Sequence, residues 1–343
     1  MHSENIYNLI KFDEYSVTPK YRQLVNCILQ GVKEGKIGKD YVLPSINDLG
    51  FETELSRKTV EKAYRYLKQT GIINSIPGKG YYIAQTDFKS PLKVFLLFNK
   101  LSPHKKIIYD AFAATLGDQA VIDFYIYNND FSLFKKLLKE RREGYAYYVI
   151  IPHFDENAGN ATELINSIPK DKLVLLSKSL PGVEGDYAAI YEDFKKDIYS
   201  ALKEGLNKLK KYRYIKIIFP EYTYHSKEIL SGFKEFCQDY AFEYEVIKFP
   251  GEVLITKETV YISLMEDDLV MLIKKILDSG LKVGEEVGVI SYNETPIKQI
   301  ILNGITTISS DFKMMGEQAA KIILNKSTEK VAIPFYLTIR DSL

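Results

Sequence analysis

The sequence predicts an α/β protein: an N-terminal winged helix-turn-helix domain plus a two-lobed, doubly wound parallel α/β body. Three observations carry this. Two short helical patterns and a glycine-tipped hairpin pattern follow one another between Leu43 and Ile83. From Lys93 onward, short apolar runs alternate with amphipathic stretches over about 240 residues, the signature of strands joined by helices in parallel sheets. Between these regions the pattern lapses at Gln85–Leu92, QTDFKSPL, which includes Ser90-Pro91.

Residues 1–17 show little pattern and read as a short arm. Thr18 and Pro19 open the first helix, where proline's missing amide hydrogen costs nothing. Tyr21, Leu24, Val25, Ile28 and Val32 form its apolar stripe, and Cys27 reads as a core thiol beside it. Gly35 to Asp40 is a connection. Ser45 then caps a helix in which Asp48 is the acidic half of a capping box. A second helix opens at Ser56. Val60, Ala63, Tyr64 and Leu67 share one face of it, with Arg57, Lys58, Glu61, Lys62 and Arg65 on the other. After Gly71, Ile72–Ile76 and Tyr81–Ala84 flank Pro77-Gly78-Lys79-Gly80, a β-hairpin signal. In a winged helix-turn-helix the second helix enters the DNA major groove and the wing touches backbone or minor groove.

These residues carry a resemblance. Pro19, Tyr21, Leu43-Pro44-Ser45, Leu49, Ser56-Arg57-Lys58-Thr59-Val60, Ala63-Tyr64, Leu67, Gly71 and Gly78-Lys79-Gly80-Tyr81 are ordered and spaced as in the DNA-binding domain of the GntR family of bacterial transcription regulators. The resemblance implies DNA contacts from Ser45, Asn47, Ser56, Arg57, Lys58 and Thr59, from the wing residues Gly78, Lys79 and Gly80, and from Lys20 beside the first helix's N-terminus. Arg57 would reach a base edge or phosphate, Thr59 a phosphate, and Lys79 would neutralise phosphate where the glycines let the backbone approach. The plainer alternatives are a solvated helix start and an ordinary tight turn. One position departs from the family: Asn47 stands where an arginine usually contacts DNA, and an amide cannot grip guanine bidentately as a guanidinium does.

Composition adds limits. The chain of 343 residues is 46% hydrophobic and 27% charged, ordinary globular material for two or three domains. Its net charge of +1 hides a small asymmetry: residues 1–85 carry 12 Lys+Arg against 9 Asp+Glu. Two cysteines, Cys27 and Cys237, far apart in sequence, give no disulfide framework and no cysteine metal site. The first residues, MHSENIYNLIKFDE, lack a basic region followed by an apolar run, and no apolar run nears the roughly 18 residues of a membrane span. A cytoplasmic protein without membrane partners is expected.

In the body the predicted strands are 94–98, 121–127, 147–152, 172–177, 188–191, 214–219, 242–249, 259–264, 286–292 and 305–310. The predicted helices are 105–116, 130–142, 193–209, 227–240, 267–279 and 312–325. One doubly wound sheet cannot absorb this length, whereas two can. Residues 93–343 resemble the effector domain of the LacI family, which shares its fold with periplasmic sugar-binding proteins. The matches are Ser279–Gly284, Gly288–Glu294, Ile305–Ile308, Asp311-Phe312, Gly316, Pro334 and Arg340-Asp341-Ser342, with weaker ones at 94–98 and Gly232-Phe233. A GntR-type head on a LacI-type body resembles arabinose-responsive regulators. The stretches at Phe98–Ser102, Pro152–Phe154, Gly78–Tyr82 and Tyr292–Thr295 are similar to those of a fucose-responsive subgroup. The expected organisation is 1–85 head, 86–92 linker and 93–343 effector domain. Lobe one would take about 93–190 and 306–330, lobe two about 191–305, and the tail 331–343 would lie near the hinge.

Ligands of such sheets sit beyond the carboxyl ends of strands. That rule selects Asn99, Lys100, His153, Lys178, Glu192, Asp193, Glu266, Asp267, Asn293 and Glu294 as effector-binding candidates. Each has the bland alternative of an exposed strand-end group or a helix cap, Asp193 above all. Asn293 is favoured because the resemblance puts the sugar-binding position there. Met265 stands where related proteins have a polar residue, and Tyr191, Tyr222 and Tyr292 lie near strand ends. No nucleophile elbow, Walker loop or spaced metal cluster is present, and His2, His104, His153 and His225 share no ligand spacing. The expectation is therefore no enzyme, no cofactor and no metal. The expected protein is a homodimeric repressor that binds double-stranded operator DNA and answers to a monosaccharide such as L-fucose or L-arabinose. A non-sugar or phosphorylated effector, or a ligand-binding assembly protein, is the alternative.

Overall fold

A computed structural model describes residues 5–88, 91–140, 144–154, 161–221, 223 and 225–343. His2, Ser90 and Tyr222 lie outside the described residues, as does the end of the predicted 130–142 helix. The head comprises α1 (Ile6–Leu9), α2 (Lys20–Lys33), α3 (Ile46–Glu52), α4 (Arg57–Gln69), β1 (Ile73–Ile76) and β2 (Gly80–Ile83). There follow β3 (Leu92–Phe98), α5 (Pro103–Leu116), β4 (Ala120–Ile126), α6 (Phe131–Glu140), β5 (Tyr147–Ile150), α7 (Ala161–Asn166), β6 (Leu173–Ser177) and β7 (Ala188–Tyr191). Next come α8 (Phe194–Glu204), α9 (Leu206–Leu209), β8 (Tyr214–Ile218), α10 (Glu228–Asp239), β9 (Glu243–Ile247), β10 (Thr259–Ser263), α11 (Glu266–Ser279) and β11 (Val287–Tyr292). The chain closes with β12 (Thr306–Ser310), α12 (Phe312–Asn325), β13 (Lys330–Ala332) and β14 (Phe335–Thr338). Every predicted strand and helix of the body has its counterpart.

Two six-stranded sheets make the body, in the orders β13-β7-β6-β5-β3-β4 and β14-β12-β11-β10-β8-β9. In the second, β8 to β12 pair in parallel and only β14 runs antiparallel, on β12. Parallel strands covered on both faces must be apolar throughout, and β11 and β10 are buried at every position. The core of the second sheet gathers Phe233 and Phe236 of α10 with Ile215, Ile217, Val260, Ile262 and Ile290 of the strands.

Two expectations about boundaries are corrected. Thr306–Ser310 stays in the second sheet, paired with β11 in register Ile290↔Thr306, so lobe two runs to Ser310 rather than 305. The crossover falls at Asp311, whose side chain caps α12, and α12 then packs on β6 and β7 of the first sheet. The tail supplies one strand to each sheet: β13 beside β7, and β14 beside β12.

The second correction concerns 86–92. The chain divides into two compact units elsewhere, one of Met1–Phe98, Leu116–Asn128 and Ser132–Val149, the other of Asn99–Thr115, Asn129–Phe131 and Ile150–Leu343. Within the first unit the reason is the arm, which is more than patternless chain. Ser16 forms an antiparallel bridge to Tyr125, and the Val17 amide donates to the Phe124 carbonyl at 2.8 Å. The Thr18 hydroxyl donates to the Ile122 carbonyl (3.1 Å), the Phe124 amide donates back to Thr18 (3.0 Å), and the Tyr125 hydroxyl donates to Asp13 (2.8 Å). An exposed strand edge with unpaired amides invites such a partner. A cavity of about 910 Å³ lies beside this junction, lined in part by Cys27 and Asn26, so Cys27 is half-buried rather than a core thiol. The cavity touches none of the predicted site residues.

Candidate functional site

The head is built around α4. Val60, Ala63, Tyr64 and Leu67 are fully buried against Leu24, Val25 and Ile28 of α2 and Leu49 of α3. The Tyr64 hydroxyl donates to the Pro44 carbonyl at 2.9 Å, and its ring meets Tyr81 of the wing edge-on at 4.8 Å. One side chain thus fixes α4 to the start of α3 and to β2. Both caps form: the Ser45 hydroxyl accepts from the Asp48 amide at 3.1 Å, and the Ser56 hydroxyl accepts from the Thr59 amide at 3.2 Å. The capping box closes through the Ser45 hydroxyl itself, which donates to the Asp48 carboxylate at 2.7 Å. Beside the two wing strands lies an isolated bridge that sequence patterning missed. Val42 bridges Tyr82, and the Leu43 amide donates to the Tyr81 carbonyl at 2.8 Å.

This scaffold leaves Lys20, Ser45, Asn47, Ser56, Arg57, Lys58, Gly78, Lys79 and Gly80 exposed, and Thr59 half-exposed. At the tip Gly78 and Gly80 take φ of +78° and +89°, a region in which only glycine is comfortable, so Lys79 projects from a turn no other residues would hold as well. The remaining basic groups of α4 have partners within the head: Lys62 lies over the Tyr21 ring at 4.1 Å, Arg65 pairs with Glu61 at 3.0 Å, and Lys68 donates to the Ser75 hydroxyl at 2.7 Å. The exposed positive face is accordingly the start of α4 and the wing tip, where a major-groove helix presents its N-terminal residues.

In the second unit, polar side chains at the carboxyl ends of strands converge. Buried Glu192, following β7, accepts from Ser177 at the end of β6, and from Ser310 at the end of β12 at 2.6 Å. Its carboxyl thereby links the two sheets. The Nε2 of His153 lies 3.1 Å from the Ser177 hydroxyl, extending the chain to the end of β5. After β3, Asn99 is fully buried, donates to Asn129 at 2.7 Å and accepts from Lys105 of α5. On the lobe-two side, the ring of Tyr292 at the end of β11 stands 5.9 Å from His225 and 5.5 Å from Phe335. The Tyr292 hydroxyl is buried and has no hydrogen-bond partner among the described residues.

Electrostatics follows from burial. Desolvation, then the charge of Lys100, pulls Lys105 down to about 7, and desolvation with Lys100 and Lys105 pulls His225 down to about 3. His104 and His153 are held well below the ordinary imidazole range, first by burial and then by Lys105. Burial raises the carboxyl of Glu192. Asp197, on the first turn of α8, is pushed up to about 7 by burial and then by Glu192 and Asp193.

The predicted effector residues therefore divide. Asn99, Lys100, His153 and Glu192 are in this cluster, and the charge of Lys178 acts on its His153. Asp193 is exposed and caps α8, accepting from the Lys196 amide at 3.3 Å, while Asp197 one turn later faces the cluster in its place. Glu294 accepts from Arg340 at 3.0 Å and from Thr307, so it anchors the tail. Glu266 and Asp267 are exposed in the first turn of α11, the former 3.6 Å from Lys298. Asn293 is buried with φ of +66°, its carbonyl accepting from Lys298 at 2.7 Å, and its side chain makes no hydrogen bond among the described residues. Sequence reasoning missed Lys105, Asp197, Ser177 and Ser310, and weighed His104 and His225 only as metal ligands. The signal for Lys105 was present in Pro103-His104-Lys105-Lys106, but a helix start reads as solvated.

Fold and site together define a winged-helix head joined to a two-lobed body with a polar cluster between strand ends. Comparison with known proteins agrees on both halves. Residues 208–343 match the periplasmic binding protein-like domain. The N-terminal part is 32% identical over 77 residues to the HTH-type transcriptional repressor YtrA of Bacillus subtilis (strain 168), covering 22% of this chain and 59% of YtrA. The chain thus spans less than two thirds of that regulator's length. Among solved structures, the trehalose repressor from Escherichia coli superposes with a TM-score of 0.60 at 16% identity, over 73% of this chain and 100% of that one. The Lac repressor bound to ONPG in the repressed state gives 0.59 at 16% identity, over 84% of this chain and 90% of that one. At such identities the likeness is one of fold. The head seen in the sequence is thus similar to that of a transcriptional repressor, and the body shares its fold with repressors of known structure.

Proposed function

We propose that this protein is a cytoplasmic, sequence-specific repressor of a sugar-use operon. It binds operator DNA as a homodimer, one winged helix per half-site, and is controlled by a small sugar bound between the lobes. The observation that carries the reading is the conjunction of an exposed Ser56–Thr59 helix start and Lys79 wing tip with a buried polar cluster at strand ends. The first is what phosphate and base edges require, and the second is what a small hydroxylated ligand requires. Arg57 and Lys58 would contact the groove and Lys79 the backbone. Glu192, Asn99 and Asp197 would accept or donate to hydroxyls, with Tyr292 as an aromatic wall. Resemblance supports an L-fucose or L-arabinose skeleton for the ligand.

The test is a gel shift with the purified protein and a DNA fragment from upstream of its own coding sequence. A specific complex that weakens steeply as salt rises is expected, since each neutralised phosphate releases a counterion. No complex at low salt contradicts the reading.

A further inference from the structure

The head is attached at both of its ends, and to neighbouring strands. Its exit runs into β3 at Leu92, and β3 pairs with β4 in register Leu92↔Ala120. Its entrance, the arm, lies on the outer edge of β4. There the Val17 amide donates to the Phe124 carbonyl (2.8 Å), and the Thr18 hydroxyl donates to the Ile122 carbonyl (3.1 Å) and accepts from the Phe124 amide (3.0 Å). Only Pro19 separates Thr18 from α2, and its ring fixes one of the two backbone angles at that joint. Buried Gln23 of α2 closes the joint from the head side, donating to the Thr18 carbonyl (2.9 Å) and accepting from the Asp13 amide (2.9 Å). Asp13 in turn accepts from the Tyr125 hydroxyl at 2.8 Å, and Lys136 of α6 donates to the Tyr15 hydroxyl at 2.9 Å. On the exit side Phe88 packs against the core of the head.

A further contact reaches α4 itself. Tyr66, in the C-terminal half of that helix, donates to the Asp118 carboxylate at 2.6 Å, just ahead of β4, and the Arg22 guanidinium of α2 lies over its ring at 4.2 Å. Arg57, the first residue of the same helix, stays exposed, as do Lys58 and the wing residues Gly78, Lys79 and Gly80. The helix is held at one end and presented at the other. A domain joined by one chain end can spin about it. One held by both ends on adjacent strands, with its long helix anchored as well, keeps a single orientation. All these residues fall within one compact unit of the chain.

We infer that the arm is a clamp: Asp13, Thr18, Gln23 and Tyr66 are positioning residues that set the direction of α4 relative to β3 and β4, so the head is carried by these strands instead of hanging on residues 86–92. The edge of the sheet explains why the arm settles there. β4 pairs with β3 on one side only, and an added segment gives partners to the N–H and C=O groups of the other side. Without the Thr18 hydroxyl the Phe124 amide loses that partner in a buried place. In two copies bound to one operator, the clamp fixes the distance that the two α4 helices can span. This last consequence rests on the proposed operator binding.

The experiment is hydrogen exchange of the full chain, unaltered and carrying Thr18→Val with Tyr66→Phe. In the unaltered protein the Val17 and Phe124 amides should exchange at least about tenfold more slowly than in a free peptide, and in the double variant both should speed up while residues 60–67 stay protected. Exchange of Val17 at the free-peptide rate in the unaltered protein overturns the clamp. The second reading is DNA titration with a fragment from upstream of the protein's own coding sequence. Footprinting locates its two half-sites, and about five base pairs, half a helical turn, are inserted between them. The unaltered protein should lose about a hundredfold in affinity on insertion, because its second head no longer engages, and the double variant no more than about threefold. An equal loss in both proteins overturns the positioning role. A protein that shifts no DNA overturns the operator reading and leaves the exchange rates to sustain or overturn the clamp. If the double variant does not fold, Asp13→Ala takes its place, since it removes the Tyr125 contact and leaves buried Thr18 intact.

Discussion

At the scale of the residue, function depends on which charges are exposed and which are enclosed. Arg57 is exposed at the first position of α4, held there by the Ser56 cap rather than by any contact of its own. Arg57→Ala should cost about 1–3 kcal/mol of operator binding while leaving ligand binding unchanged, read by DNA titration and calorimetry side by side. Loss of both would mean a folding defect. Asp197 is the reverse case. Its folded-state value near 7 lies above that of an unfolded aspartate, so its contribution to stability is present at low pH and is lost as pH rises through about 7. Asp197→Asn should therefore match the wild type near pH 4 and become the more stable protein as pH climbs to 7, in urea melts across that range. These cases also show what a sequence hides. Strand-end position was legible, and among its candidates Asn99, His153 and Glu192 lie in the buried polar cluster. It could not separate them from Asp193, a cap, or Glu294, a tail anchor, because all five are polar residues after an apolar run. Lys105 was invisible for the opposite reason: nothing in a lysine near a helix start announces that it will be 3% exposed.

At the scale of the element, periodicity was nearly sufficient. Apolar runs buried on both faces are unmistakable in a parallel sheet, which is why AAIY gave β7 to the residue. The misses are elements with weak or edge-like patterns: α1 in the arm, α7, the bridges at Ser16 and Val42, and β13 and β14 in the tail. β13 spans three residues and β14 four, just after Pro334, so neither stands out in the tail as a strand. The assignment of Thr306–Ser310 to the wrong lobe has a similar cause, since a strand's pattern does not say which sheet it joins. Glycines within elements are more informative. Gly232 of α10 packs so closely on α8 that a β-carbon there would run into the Lys195 carbonyl oxygen. Gly232→Ala should destabilise the protein by about 1–3 kcal/mol through overpacking, measured by chemical denaturation. An unchanged midpoint would mean the two helices are free to separate.

At the scale of the whole molecule, the proposed function joins two binding activities that need not have met in one chain. A DNA-binding head and a ligand-binding body make a switch only if each site biases the other, with a coupling typically of about 1–3 kcal/mol. Fluorescence anisotropy of a labelled upstream fragment, titrated with protein in the presence and absence of L-fucose and L-arabinose, measures this directly. The account predicts tight, salt-sensitive binding that weakens about five- to 150-fold when the effector is present. DNA affinity unmoved by a ligand that demonstrably occupies the protein would contradict it.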